Sequence, residues 1–256
     1  MLERRREVGS EGAGPASLLE LRRVNKIRRD FVANVSHELK TPATSLRLLA
    51  ESLVEILEED PEQARFFAEQ LKNETERLAQ LITDLLDLAR LESEEGIPNP
   101  TPVDVRGALM VVLSRLRPAA HQKNITLSWK RSGSSSSTDL YTVRGDETQL
   151  ISMFTNLVDN AVKYTSSGGS VEIAAEPNES EVVVRVSDTG IGIPEEKLSR
   201  IFERFYRVDK ARSKKTGGTG LGLSIVRHVA ENHGGRVTVE SVLDEGSSFT
   251  VYLPRG

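Results

Sequence analysis

The chain has 256 residues, of which 28% are charged and 38% hydrophobic, a composition typical of a folded, soluble protein of about two domains. The formal net charge of −4 argues against nucleic-acid binding, and the absence of cysteine excludes disulfides, thiolate metal sites and a cysteine nucleophile. No apolar run is long enough to span a membrane, so we expect a cytoplasmic protein or the cytoplasmic part of a membrane-anchored sensor.

Two long helices are predicted in the first part of the chain. Residues 1–18 lack periodicity and are interpreted as a linker or the end of a larger region. Apolar residues then recur at three- and four-residue intervals up to Ile56, and again from Phe67 to Leu88. Pro61 suits the first turn of the second helix. Each helix is apolar over more than one contact line, so two antiparallel hairpins are expected to pair as a four-helix bundle. Residues 19–96 would therefore form a homodimer.

The second part of the chain has a different pattern. The Pro-rich residues 97–102 are predicted to be an interdomain linker and residues 103–256 a separate domain. The predicted helices cover 103–120, 146–164 and 222–232, and the predicted strands cover 124–131, 170–175, 181–187, 236–241 and 248–253. Residues 132–138 are expected to form a polar, flexible loop. Helices and adjacent strands in this order predict an α/β sandwich with one mixed sheet.

His37 lies in the first predicted helix, two residues from both Val35 and Leu39. This spacing places it about 200° around the helix from each, so its imidazole is expected to point toward solvent. Glu38 can orient or deprotonate the imidazole, and Thr41 shares the same face one turn later. An isolated helical histidine is more often structural or merely exposed, which is the alternative here.

Pro42 follows at once in the same helix. It cannot donate to the carbonyl of Glu38, so the helix is expected to be locally weakened and to provide a hinge. The alternative for Pro42 is a tolerated kink with no role.

An amide pair marks the predicted helix over 146–164. Asn156 and Asn160 are four residues apart and present two amide oxygens on one face. Such oxygens suit Mg²⁺, and Lys163 is close enough to meet a phosphate. An amphipathic helix with solvated asparagines is the alternative.

Two glycine-rich segments follow. Asp188 ends a predicted strand and can accept a hydrogen bond from an exocyclic amine, while Gly190 and Gly192 allow close backbone approach. A common Asp-initiated turn is the alternative. Residues 218–222 open a helix, whose N-terminal N–H groups can bind an anion. The segment is not a Walker motif, because no Lys-Ser/Thr follows its last glycine.

In this order the segments resemble those of sensor histidine kinases of two-component systems. Residues 31–42 look like the H box, 156–164 the N box, 188–192 and 218–222 the two G boxes, and 201–207 the F box. The resemblance implies a GHKL (Bergerat) ATP-binding fold, which is shared with type II topoisomerases, a heat-shock chaperone and mismatch-repair ATPases.

The resemblance also implies roles for individual residues. His37 would be the phospho-acceptor, Asn160 would bind Mg²⁺ with help from Asn156, and Asp188 would read the adenine amino group. Residues 204–217 would form a cationic lid over ATP. The further implied nucleotide contacts are Lys163 and Tyr164 at the phosphates, Arg207 at the γ-phosphate, and Gly190, Gly192, Ile193, Phe205, Gly218, Thr219, Gly220, Leu221 and Gly222.

The implied activity is autophosphorylation of His37 from Mg-ATP, followed by transfer to an aspartate of a response regulator receiver domain. Glu38 to Thr41 also fits the family's E-x-x-T pattern, which implies that Thr41 positions water for dephosphorylating that partner. The alternatives are a nucleotide-gated conformational ATPase, which needs no acceptor histidine, and a degenerate scaffold, which would lack Asn160 or Asp188. His121, His228 and His233 are expected to be structural, with no metal-ligand cluster.

Overall fold

The computed structural model describes residues 15–93, 96–131, 138–209 and 218–256. The chain divides into two compact units, Met1–Thr75 and Glu76–Gly256. No helix in these described ranges is long and apolar enough to cross a membrane.

The two predicted long helices are present as a helical hairpin, α1 (Pro15–Ile56) and α2 (Pro61–Ser93). Helix α1 begins four residues before its predicted start, because a proline is compatible with the first helical position. The rest of the predicted linker, 1–14, lies outside the described residues. Asp60 caps α2, since its Oδ1 accepts the N–H groups of Glu62 at 3.1 Å and Gln63 at 3.0 Å. Pro61 occupies the first turn as predicted.

The second unit is built around a five-stranded sheet. Its elements after α2 are β1 (Thr101–Asp104), α3 (Val105–Gln122), β2 (Thr126–Arg131), a 3₁₀ turn (Thr138–Tyr141), β3 (Thr142–Gly145), α4 (Glu147–Tyr164), β4 (Ser170–Pro177), β5 (Glu181–Asp188), α5 (Glu195–Leu198), α6 (Gly222–Asn232), β6 (Arg236–Val242) and β7 (Gly246–Pro254). The strand order is β2-β4-β5-β7-β6, and β1 pairs separately with β3. Only the β2–β4 pairing in the large sheet is parallel. The predicted mixed-sheet sandwich is confirmed.

One face of this sheet forms the core. Alternate residues of β4, β5 and β7 are buried, namely Val171, Ile173, Ala175, Val182, Val184, Val186, Phe249, Val251 and Leu253. Helix α4 supplies the fully buried Phe154 and Val158, and it packs between α3 and α6. Because that face of α4 lies in the core, its Asn156 and Asn160 remain only half-buried on another part of the helix surface.

Several helices and strands begin at residues other than those predicted from the sequence. Residues 103–104, predicted to be helical, belong to β1, and α3 begins after Asp104, whose carboxylate accepts the Arg106 N–H at 3.0 Å. Strand β3 was not predicted at all. Each of these two strands has only four residues, too few for a periodic signal. Strand β2 starts at Thr126 because Asn124 is left-handed, with φ of 56°. Most of the predicted flexible loop, 132–137, lies outside the described residues.

His233, at the C-terminal end of α6, is tied to the N-terminal end of α4. Its Nδ1 lies 2.7 Å from the Val229 carbonyl oxygen, and its Nε2 accepts the Asp146 N–H at 3.2 Å. These partners fix a neutral imidazole protonated at Nδ1. Burial lowers the pKa of His233, although the contacts to Val229 and Asp146 oppose that shift. The predicted structural role of this histidine fits its position.

We expect acid to weaken this unit through His233. Its folded-state pKa is lowered, so its stabilising contribution is fully present above the ordinary histidine pKa, near 6.5, and is lost as the pH falls toward the lowered value. Urea unfolding between pH 7.5 and 5 should show the loss, and His233→Gln should flatten that part of the profile while costing about 1–3 kcal/mol at pH 7.5. An unchanged pH profile in the variant would contradict this assignment.

Candidate functional site

Helix α4 presents the predicted amide pair in two different environments. The Nδ2 of Asn156 donates to the Ser152 carbonyl at 3.0 Å. Its Oδ1 faces Gly222, where an added Cβ would come within 2.5 Å of it. The Asn160 side chain is half-buried and makes no hydrogen bond to any described residue. A neutral amide oxygen of this kind suits a hard cation, so the donor chemistry of the predicted Mg²⁺ ligands fits.

The end of α4 carries a lysine and a tyrosine. The Lys163 ammonium pairs with Asp159 Oδ2 at 2.6 Å, one turn earlier on the helix. The Tyr164 carbonyl accepts the Ile191 N–H at 3.3 Å. The phenol hydroxyl of Tyr164 would lie 3.5 Å from a Cβ added at Gly218. Tyr164 therefore approaches both glycine-rich segments, while the position of Lys163 is set by Asp159.

The first glycine-rich turn follows β5 directly. Asp188 Oδ1 accepts the Gly190 N–H at 2.8 Å. Burial raises the pKa of Asp188, and hydrogen bonds from the backbone of Gly190 and Ser247 oppose that rise. A Cβ at Gly190 would lie 2.6 Å from Asp188 Oδ1 and 2.7 Å from the Tyr164 carbonyl oxygen. The turn thus requires a residue without a side chain at Gly190 and leaves Asp188 as a half-buried acceptor.

Beyond Gly190 the chain is fastened to the β6–β7 hairpin. Gly192 has φ of 64° and leaves no room for a Cβ against the Val242 carbonyl. The Ile193 N–H donates to Ser241 Oγ at 2.8 Å. Because this N–H is already paired, any contact that Ile193 makes to a ligand would have to come from its other atoms.

The second glycine-rich turn leads into α6. Gly220 is left-handed, with φ of 75°, and its carbonyl accepts the N–H of Phe205, which is itself left-handed with φ of 62°. The side chain of Leu221 is fully buried. Gly222 begins α6. Of the predicted lid, Arg207 is half-buried, and residues 210–217 lie outside the described part of the chain.

Thr219 has a partner on α2 that its glycine-rich motif does not predict. Its hydroxyl donates to Asp84 Oδ2 on α2 at 2.6 Å, and both side chains belong to the second compact unit. Asp84 is 5% exposed and shares a helix face with the buried Leu81 and Leu88. A buried acid on an apolar helix face is costly unless it is hydrogen-bonded. The position of Asp84 between leucines is therefore the sequence signal for a hydrogen-bonding partner elsewhere in the fold.

The His37 side chain is 79% exposed, which confirms the predicted orientation toward solvent. Its Nδ1 lies 3.9 Å from Glu38 Oε1, longer than a hydrogen bond but within ion-pair range. The Thr41 hydroxyl donates to the His37 carbonyl at 3.2 Å, and α1 continues as one helix through Pro42. An exposed imidazole with an adjacent carboxylate is suited to act as a nucleophile.

Comparison with protein families matches both parts of the chain. Residues 27–94 match the His Kinase A (phospho-acceptor) domain, and residues 145–256 match the histidine kinase-, DNA gyrase B- and HSP90-like ATPases. Fold and site together therefore define an ATPase-type domain joined to a phospho-acceptor domain. Within that class, the chain belongs to the sensor histidine kinase family.

Individual relatives agree with this assignment. The sensor-like histidine kinase SenX3 of Mycolicibacterium smegmatis is 43% identical over 235 residues, which are 91% of this chain and 59% of the relative. Curated relatives also include WalK of Bacillus subtilis, of whose length the chain spans 38%. A structure of full-length ShkA in complex with AMPPNP is 32% identical with a TM-score of 0.62, over 88% of this chain and 45% of that one. The histidine kinase ThkA, in complex with the response regulator TrrA, shares the fold with a TM-score of 0.69 at 23% identity, over 92% of this chain and 64% of that one.

We expect Gly190→Ala to weaken binding of an ATP analogue at least tenfold, because the methyl group would push Asp188 or the end of α4 out of place. Isothermal titration calorimetry with a non-hydrolysable analogue measures this. Gly107→Ala is the matched control, since the nearest atoms to a Cβ there belong to Asp104 and lie 3.8 Å away, an ordinary contact distance. Equal affinities of the two variants would contradict the proposed role of the turn.

Proposed function

We propose that the chain is the catalytic core of a two-component sensor kinase, which moves the γ-phosphoryl group of ATP to His37 and then to an aspartate of a response regulator. The observation that carries the proposal is the exposed His37 imidazole beside Glu38, in a chain that also carries the two glycine-rich turns around α4. The proposed location of this core is the cytoplasm.

The geometry around His37 supports attack by one ring nitrogen. A carboxylate near Nδ1 favours the tautomer with its proton on that atom, which leaves the lone pair on Nε2. Nε2 then attacks the γ-phosphorus in line, and a P–N bond forms as the P–O bond to ADP breaks. The Nδ1 proton passes to Glu38, so the product is a neutral phosphohistidine side chain apart from its phosphoryl charge.

The proposed nucleotide contacts follow the geometry of α4 and the first turn. Asp188, held by the Gly190 N–H, would accept a hydrogen bond from the adenine amino group. Lys163 and Tyr164 would meet the phosphates, and Arg207 would meet the γ-phosphate. Cations placed there stabilise the charge that develops during phosphoryl transfer.

The proposed metal is Mg²⁺, which Asn160 would bind with help from Asn156. When bound, the ion would neutralise phosphate charge. Asn160 is suited to ligation because its amide is half-buried and is not hydrogen-bonded to any residue in the described ranges. Asn156 is less free, because its Nδ2 is fixed by Ser152 and its Oδ1 lies against Gly222.

Two partners are proposed, a second copy of the chain and a response regulator. The first unit exposes large apolar side chains, Val32, Leu48, Val54, Leu57 and Phe66. Exposed apolar surface of this extent on a hairpin supports pairing with a second hairpin into a four-helix bundle. The regulator proposal is supported by ThkA, which has this fold and was determined in complex with a response regulator.

Incubation with γ-labelled ATP and Mg²⁺ tests the kinase proposal. We expect label that is stable in base, labile in acid, and absent from His37→Ala, because the phosphoramidate bond hydrolyses in acid. His121→Ala is the matched control and should label like the wild type. Phosphate release without protein label would instead indicate a nucleotide-gated ATPase, and ATP binding with neither label nor release would contradict the kinase.

A second activity, dephosphorylation of the regulator, is favoured by the position of Thr41 one turn after His37. We expect Thr41→Ala to slow hydrolysis of the phosphorylated regulator at least tenfold while His37 is still labelled from ATP. Glu38→Gln should have the opposite pattern. It should slow labelling of His37 about 100-fold, because the general base is lost, while the phosphorylated regulator is still hydrolysed. Unchanged regulator hydrolysis in Thr41→Ala would remove the phosphatase from the proposal.

A further inference from the structure

The buried contact between Asp84 and Thr219 joins α2 to the second glycine-rich turn. The Thr219 hydroxyl donates to Asp84 Oδ2 at 2.6 Å, and Gln80 Nε2 donates to Asp84 Oδ1 at 2.7 Å. Asp84 and Thr219 are 5% and 9% exposed. Both carboxylate oxygens are therefore paired in a place that excludes most water, where a hydrogen bond to a charged group is strong.

The hydrogen bonds continue from Thr219 into the turn itself. The Thr219 oxygen accepts the Leu221 N–H at 3.3 Å, at the residue that precedes α6. A hydroxyl has one proton, so donating it to Asp84 directs a lone pair of the same oxygen toward that N–H. Asp84 thus fixes the rotamer of Thr219, and Thr219 fixes the start of α6.

The surroundings of Asp84 shift the pKa of its carboxyl group. Burial raises the pKa of Asp84, and Asp87 adds to the rise, whereas the hydrogen bonds from Thr219 and Gln80 and the charge of Lys163 lower it. The second glycine-rich turn is therefore the element of the nucleotide site that Asp84 contacts, through the Thr219 hydroxyl.

We propose that Asp84 is a positioning residue for nucleotide binding: through the Thr219 hydroxyl it holds residues 218–222 in the conformation that receives the phosphates. In this proposal Asp84 acts through Thr219 and not by direct contact with the nucleotide. The proposal rests on the proposed ATP-dependent function and extends the nucleotide site to a residue of α2, which lies within the phospho-acceptor family match.

The test is a double-variant cycle on the Kd of a fluorescent ADP analogue with the full chain. We expect Asp84→Leu and Thr219→Val each to weaken binding about tenfold, and the double variant to be no weaker than either single variant, because all three lose the same hydrogen bond. Asp84→Asn should stay within about twofold of the wild type. The asparagine can still accept from Thr219, and the Gln80 amide can rotate to match it. Thr83→Val, on the same helix, is the matched control and should bind normally, because the Thr83 side chain is exposed and its hydroxyl donates to the Ala79 carbonyl.

Amide hydrogen exchange at Leu221 without nucleotide gives a second readout. Asp84→Leu should speed this exchange about tenfold and Asp84→Asn should not, while strands β4 and β5 exchange as in the wild type. The positioning role would be overturned if the two losses of affinity add in the double variant, or if Asp84→Leu binds like the wild type. Either result would leave the proposed ATP-dependent function in place. Wild-type protein that binds no nucleotide would instead refute the proposed ATP-dependent function.

Discussion

The close approach of two glycine-rich turns to helix α4 is the constraint on which the nucleotide site depends. The first turn reaches the end of the helix through the Ile191 N–H and the Tyr164 carbonyl, and the second places Gly222 against the Asn156 amide oxygen. A Cβ at Gly190 would lie 2.7 Å from the Tyr164 carbonyl oxygen, and a Cβ at Gly222 would lie 2.5 Å from the Asn156 amide oxygen, so a side chain at either glycine would push the turn away from the helix. The site can therefore be only as rigid as α4, and α4 is held by its core residues on one side and by the Asp146–His233 contact at its start.

Much of the fold could be predicted because its elements have strong local signals. Apolar residues at three- and four-residue intervals predicted the two helices of the hairpin. Alternating apolar and polar residues predicted the strands of the large sheet. The small β1–β3 sheet could not be found in this way, since Thr101 pairs with Gly145 and neither strand is long enough to show a period. Its existence depends on tertiary pairing. The same limit applies to Asn124, whose left-handed conformation delays the start of β2 to Thr126, two residues after its predicted start.

The residues of the candidate site likewise fall into those that local spacing predicts and those that it does not. Asn156, Asn160, Asp188 and the glycines were recognisable because their chemistry lies within short segments of fixed spacing. The Asp84–Thr219 contact joins residues 135 positions apart, so no local spacing could reveal it. Even so, an acid between buried leucines on one helix face is a conflict within the sequence. Such conflicts are resolved by a distant partner, and they indicate where a structure holds more than its motifs.

The hydrogen bond from Thr41 to the His37 carbonyl has a consequence for the direction in which a water molecule could be held. The hydroxyl has given its only proton to the backbone, so toward solvent it offers lone pairs alone. A water bound there must donate one of its hydrogens to Thr41 and turns its own oxygen lone pairs outward. That orientation exposes the nucleophilic side of the water to an approaching phosphoryl group, whereas a hydroxyl free to donate could hold the water with its lone pairs turned inward.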